Sequence, residues 1–157
     1  MTARAPGATA RGATSIGGVH EWGVAVPATE LLHTMLRVLD EGRSLAFYRA
    51  LGFEERGRKR VGGDTATVVF LGLPGDGDRL ELTLNDGRTE PYEVGTGYGH
   101  IALSISGLDA ELERLASLGI TPEKPPYRSR PGGSRICFVR DPDGYRIEMI
   151  EAGSRED

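Results

Sequence analysis

The chain has 157 residues, a formal net charge of −4 and a sequence pI near 5.5, with 38% hydrophobic and 27% charged residues. Its basic residues are interleaved with acids, which excludes the clustered cationic face that a nucleic-acid partner needs. No run approaches the roughly 18 apolar residues that span a bilayer. The lone cysteine, Cys137, excludes an intrachain disulfide or a thiolate cluster, and within Ile136-Cys137-Phe138-Val139 it reads as a small buried hydrophobe in a reducing, cytoplasmic setting.

Residues 1–29 are expected to be a disordered extension. Met1 to Gly18 is Ala, Gly, Thr and Arg with almost no large apolar side chain, too little to offset its ordering entropy. It lacks the apolar core of a secretory signal, and no catalytic duty is expected of His20 or Trp22. The folded part is expected over 30–151, followed by a flexible terminus at 152–157. Leu31 to Val38 alternates in strand fashion. Arg43 to Leu51 gathers Leu45, Phe47, Tyr48 and Leu51 on one helical face, and Gly52 supplies the stop. Strands are predicted over Phe53–Val61, Thr65–Leu71 and Arg79–Asn85, separated by Gly62-Gly63-Asp64 and by the turn residues 74–78. A second series follows: a strand at His100–Ser106, a helix at Leu108–Leu118, and strands near Ile120–Tyr127, Arg135–Arg140 and Tyr145–Glu151. Asp141-Pro142-Asp143-Gly144 is a strong turn signal before the last of them.

The two series are copies. His100 lies 67 residues after His33, and Glu148 lies 67 after Glu81. At that same offset Leu36 meets Leu103, Val38 meets Ile105, and Leu51-Gly52-Phe53 meets Leu118-Gly119-Ile120, an alignment that reads as ungapped over fifty residues. The predicted fold is therefore α+β, built from two tandem βαβββ modules at about 30–86 and 97–151, with curved sheets around a metal site. In each module the histidine lies on the first strand and the glutamate on the last. Strand periodicity puts His33, Met35 and Arg37 on one face, and Glu81, Thr83 and Asn85 on one face of their strand. If first and last strands approach, His33, Glu81, His100 and Glu148 converge in two pairs. Two imidazoles and two carboxylates suit a borderline divalent ion with octahedral preference. A single histidine on a strand is ordinary, and a glutamate between leucines can simply face water. The repeated pair is what a solvated face does not predict. Other signals are weak: Gly95, Gly97 and Gly99 precede a strand rather than open a helix, so they make no dinucleotide loop, and Asp141-x-Asp143-Gly144 lacks the later ligands of a calcium loop.

The segments Leu32-His33-Thr34-Met35-Leu36-Arg37-Val38, Phe47-Tyr48, Glu81-Leu82-Thr83, Gly99-His100-Ile101-Ala102 and Asp141-Pro142-Asp143-Gly144-Tyr145 together resemble the short bacterial type of the glyoxalase I family, in the vicinal-oxygen-chelate superfamily. The resemblance covers about residues 31–151. It implies that His33, Glu81, His100 and Glu148 bind one divalent metal per site, nickel or cobalt in preference to zinc. It implies a homodimer with the sites at the interface, and a substrate that is the hemithioacetal of methylglyoxal and glutathione, isomerised to S-lactoylglutathione. Glu148 would be the catalytic base, with Glu81 as ligand and second proton carrier. Arg37 and Asn85 match positions that hold the glutathione part, and Arg130, or its neighbour Arg128, would take over a carboxylate contact where the family's usual lysine is missing. Rival readings within the fold are a CoA-thioester epimerase, an extradiol dioxygenase and a metal-free drug-binding resistance protein. Neither a nucleic acid nor a membrane is expected as partner.

Overall fold

The computed structural model describes residues 28–153. The expectation of disorder over 1–29, with His20 and Trp22, falls almost wholly outside the described residues, as do residues 154–157. Elements run in the order β1 (Thr34–Arg37), α1 (Glu41–Ala50), β2 (Glu54–Val61), β3 (Ala66–Gly72), β4 (Leu80–Asn85), β5 (Ile101–Ile105), α2 (Leu108–Ser117), β6 (Tyr127–Arg128), β7 (Arg135–Arg140) and β8 (Arg146–Glu151). They form two four-stranded sheets, ordered β1-β4-β3-β2 and β5-β8-β7-β6. Both βαβββ modules belong to one unit beginning at Leu32. The duplicated α+β fold read from the spacing is the fold observed.

The helices start and stop for local reasons. Asp40 is the N-cap of α1: its backbone is extended and its Oδ1 accepts from the Arg43 backbone N–H at 2.9 Å, satisfying one of the donors a helix start leaves free. Past the end of α1, Gly52 takes φ +91°, and Gly119 does the same after α2 at +80°, a left-handed conformation that a Cβ disfavours. Ser44, Leu45, Phe47 and Tyr48 are the buried residues of α1, while α2 buries Leu108 and Leu115. They pack on the sheet faces carrying Leu36, Val69, Leu71, Leu80 and Leu82, and Leu103, Cys137, Val139, Ile147 and Met149. Each such side chain contributes about 1.5–3 kcal/mol by leaving water.

In each sheet the first strand runs parallel to the last. Met35 lies beside Glu81 and Arg37 beside Thr83 in one, Ala102 beside Glu148 in the other. This pairing leaves one face of each sheet to the helix and the core, and turns the other, with the glutamate, away from it.

Two expectations are corrected. The strand predicted over Ile120–Tyr127 is only the two residues Tyr127–Arg128, linked upstream to the sheet by the Glu123 N–H to the Phe138 carbonyl at 2.8 Å. Pro122, Pro125 and Pro126 bring no N–H to a ladder. The repeat is also not ungapped. Phe70 sits beside Glu81 and Phe138 beside Glu148, 68 residues apart rather than 67. At the uniform offset Phe70 would match Cys137, which faces the core and is fully buried. A one-residue slip flips a strand's faces, so the middle strands had to shift to keep an aromatic ring on the glutamate's side.

Candidate metal centre

His33 and His100 each stand one residue ahead of a first strand, where the chain has begun to follow the ladder: Thr34 N–H already donates to the Arg79 carbonyl at 2.9 Å. The last strand carries each glutamate to meet its imidazole. His33 Nε2 lies 3.3 Å from Glu81 Oε2, and His100 Nε2 lies 3.0 Å from Glu148 Oε2. The carboxylates are largely covered, at 15% and 14% side-chain exposure, and the imidazoles partly open, at 34% and 40%. Each imidazole also meets an aromatic ring edge-on, Phe70 at 5.7 Å and Phe138 at 5.4 Å between centroids. The pairing of first and last strands thus brings together the residues that the repeat singled out, two by two.

The donor geometry can be tested against a metal ion. Donors about 2.1 Å from an ion lie about 3.0 Å apart when cis in an octahedron and about 3.4 Å apart in a tetrahedron. The observed separations of 3.0 and 3.3 Å fall in that range. One nitrogen and one carboxylate oxygen per module suit nickel, cobalt or zinc. Among the described residues of one chain, however, no three His, Cys, Asp or Glu side chains gather. Each module brings together one imidazole and one carboxylate, a candidate half-site, and the two candidate half-sites are not brought to one centre among the described residues of one chain.

The half-sites differ in ways the repeat did not disclose. Thr83 Oγ1 donates to Glu81 Oε1 at 2.9 Å, so that carboxylate is held at both oxygens. The matching position after Glu148 is Ile150, and His100 is the one polar partner of Glu148 among the described residues. Module one carries Arg37 on β1 and Asn85 at the end of β4. Arg37 is exposed and has no ion pair among the described residues. Asn85 Nδ2 donates to the Tyr92 hydroxyl at 2.8 Å, and the Arg88 guanidinium stacks 4.7 Å from the Tyr92 ring. In module two, the loop between β6 and β7 ties Arg128 to the Gly133 carbonyl, while Arg130 is exposed and its own carbonyl accepts from the Gly133 N–H at 3.0 Å.

A buried polar junction between the modules escaped sequence reading. Asp141, read only as a turn residue, is 5% exposed and accepts from the Tyr48 hydroxyl of α1 at 2.9 Å. Its other oxygen takes the backbone N–H groups of Asp143 and Tyr145. Asp143 in turn accepts from the Leu39 N–H at 3.0 Å. Burial raises the Asp141 carboxyl above its ordinary range, against the pull of these donors, and burial likewise pushes up the Tyr48 hydroxyl. Nothing in the local pattern signalled a contact spanning so much chain. Cys137 behaves as expected: it is fully buried and burial pushes its thiol up to about 11.

Two βαβββ modules, each presenting an imidazole–carboxylate pair on the face turned from its helix, define a duplicated α+β protein with two candidate half-sites. The chain belongs to the Glyoxalase/Bleomycin resistance protein/Dioxygenase superfamily, whose family model matches residues 30–149. It is similar to lactoylglutathione lyase of Salmonella typhimurium, 42% identical over 127 residues that cover 78% of this chain and 92% of that one. Lactoylglutathione lyase of Haemophilus influenzae is 41% identical over 128 residues, with the same coverage of 78% and 92%. Among solved structures, glyoxalase I from Zea mays superposes with a TM-score of 0.69 at 31% identity over 81% of this chain, which spans 45% of the maize chain. The trypanothione-dependent glyoxalase I of Leishmania major gives 0.66 at 35% identity, covering 79% of this chain and 87% of that one.

Proposed function

We propose that the protein is a glyoxalase I, an isomerase-type carbon–sulfur lyase that converts the methylglyoxal–glutathione hemithioacetal to S-lactoylglutathione. The observation that carries this reading is the repeated His–Glu pair at ligand spacing, in a chain about 40% identical to lactoylglutathione lyases over most of their length. His33 and Glu81 of one half-site and His100 and Glu148 of another would hold the ion, nickel or cobalt in preference to zinc. Because the half-sites of one chain stay apart, a second copy facing the first would complete each centre, and we read the working form as a cytoplasmic homodimer. Among the described residues, no helix is long and apolar enough to cross a membrane.

A divalent ion at this centre supplies Lewis-acid stabilisation of negative charge on adjacent substrate oxygens. The chain's own residues do the rest. The hemithioacetal carbon is a weak acid, so a carboxylate must stand within reach of its proton. Glu148 suits that role: it lacks the hydroxyl that anchors Glu81, and its neighbour is the apolar Ile150, so its free oxygen is the less committed of the two. Glu148 takes the proton from the carbon bearing sulfur, an enediolate forms, and a proton returned to the neighbouring carbon gives the thioester. Glu81, fixed by Thr83, keeps the opposite side of the site in place and is the second proton carrier. Arg37 meets a glutathione carboxylate with its planar fork, and Asn85, oriented by Tyr92, offers an amide. Arg130 takes a carboxylate contact in preference to Arg128, whose guanidinium already serves the loop backbone.

The test follows thioester absorbance with methylglyoxal and glutathione, using metal-stripped protein given nickel, cobalt or zinc in turn. The expected outcome is metal-dependent thioester formation, highest with nickel or cobalt, from a protein that sediments as a dimer. No thioester with any metal, from protein that still binds one, would reject the substrate and keep the site.

A further inference from the structure

Four cations lie along β2, and three are spoken for. Arg56 pairs with Glu54 at 2.9 Å. Arg58 reaches Glu41 at 3.1 Å and Glu55 at 2.8 Å, and Arg60 bridges Asp64 and Asp86. Lys59 between them meets no carboxylate among the described residues. Strand alternation turns it to the opposite face from its arginine neighbours, which is the face of the candidate centre. Its register partner is Val68, whose own partner is Thr83. Lys59 is exposed, and its ammonium lies 5.0 Å from the centroid of Phe70, the ring that meets His33 edge-on and sits beside Glu81. Cation–π attraction of this kind, about 0.5–1 kcal/mol at an exposed site, holds the charge near the imidazole–carboxylate pair.

The strand order then says which part of a substrate this charge faces. Arg37 and Asn85, assigned to the thiol half, lie on β1 and at the end of β4. Lys59 lies on β2, beyond β3 and about 10 Å from β4 at ordinary strand spacing. With the reacting carbons over Glu81, the aldehyde-derived substituent runs over Phe70 towards Lys59. An apolar ring capped by an unpaired cation suits a substituent with a short apolar base and an anionic tip.

We propose that Lys59 is a specificity-determining residue for the aldehyde half of the substrate, selecting α-oxoaldehydes whose substituent carries a carboxylate or phosphate. This rests on the glyoxalase reading of the site. The chemistry is the same isomerisation, with one proton moved between adjacent carbons and nothing gained or lost. The experiment compares kcat/KM for the glutathione hemithioacetals of para-carboxyphenylglyoxal and phenylglyoxal, matched in ring and reach, in the native chain, Lys59→Met and Lys59→Arg. The expected result is a preference for the carboxylated aldehyde that falls by about fivefold in Lys59→Met, the upper range for a partly exposed charge pair, and survives in Lys59→Arg. An unchanged preference in Lys59→Met overturns the proposal. So does an equal loss on both aldehydes, which would assign Lys59 to a glutathione carboxylate. Calorimetric binding of S-(para-carboxybenzyl)glutathione against S-benzylglutathione reads the same discrimination without turnover. Selective binding that depends on Lys59, in a protein silent with every aldehyde, would sustain the Lys59 assignment while the isomerase reading failed. Binding of neither compound would overturn both.

Discussion

Glu148 and Glu81 occupy matching places in the two modules yet stand in different company, and that difference sets what each can do. Thr83 fixes one oxygen of Glu81 while His33 takes the other; Glu148 has His100 on one side and an isoleucine two residues on. Glu148→Gln keeps the shape and removes the carboxylate proposed as the base, so turnover should drop by about a hundredfold or more while the thermal midpoint barely moves. A variant retaining full activity would remove Glu148 from the mechanism. Thr83→Val tests the other carboxylate. Loss of a hydrogen bond to a ligand typically weakens metal affinity by about 10–100-fold, so titration of stripped Thr83→Val with nickel should show weaker uptake. Uptake equal to the native chain's would mean that Thr83 merely fills space. The distinction matters because Thr83 gives Glu81 a hydrogen bond that the matching Ile150 cannot give Glu148.

At the scale of elements, the tie between α1 and the turn before β8 joins the modules. Tyr48 packs edge-on against Phe47 and Phe53, and its hydroxyl is spent on Asp141. Tyr48→Phe keeps both ring contacts and leaves a buried carboxyl short of one donor. The expected cost is about 1–3 kcal/mol of unfolding free energy, read from urea titration with an unchanged slope. A neutral result would show that the backbone N–H groups of Asp143 and Tyr145 suffice. The Asp141 carboxyl is raised by burial, so its contribution to stability is fully present below its unfolded pKa and fades as pH rises through the folded value. The helix ends follow from the chain itself. Asp40 caps, Gly52 and Gly119 terminate, and the predicted helices matched the observed ones to within about two residues at each end.

Over the whole molecule, exposed ion pairs set a pH dependence of the opposite sign. Hydrogen bonds from Arg58 lower the Glu55 carboxyl, and those from Arg146, Arg60 and Arg135 lower Glu123, Asp86 and Asp109. Groups with lowered values stabilise the fold above their unfolded pKa and lose that contribution as pH falls through the folded one. The urea midpoint should therefore fall between roughly pH 5 and pH 3, and the fall should shrink in about 0.5 M salt, because these pairs are screened. A midpoint that rises on acidification would mean that Asp141 outweighs all four. Assembly belongs to this scale as well. With each module presenting two donors and no third within the chain's described residues, metal uptake should follow the dimer on dilution.

The sequence by itself determined the duplication, the order of elements and the identity of the two His–Glu pairs. These are properties of the chain's period and spacing: an apolar face recurs every 3.6 or 2 residues, and a repeat shows itself as a constant offset. Tertiary structure decided what spacing does not encode. Phe70 and Phe138 meet the imidazoles only because β3 and β7 slipped by one residue to keep their rings on the right face. The strand at Tyr127 is short because three prolines ahead of it bring no N–H to a ladder. Lys59 faces Phe70 because the register of β2 on β3 puts it beside Val68, while the carboxylates of α1 and the turns went to Arg58 and Arg60. Asp141 left the category of turn residues when α1 folded over it. A pattern along the chain reports which face a side chain takes. Which partner it meets there depends on register between strands far apart in sequence, and only the folded chain sets that register.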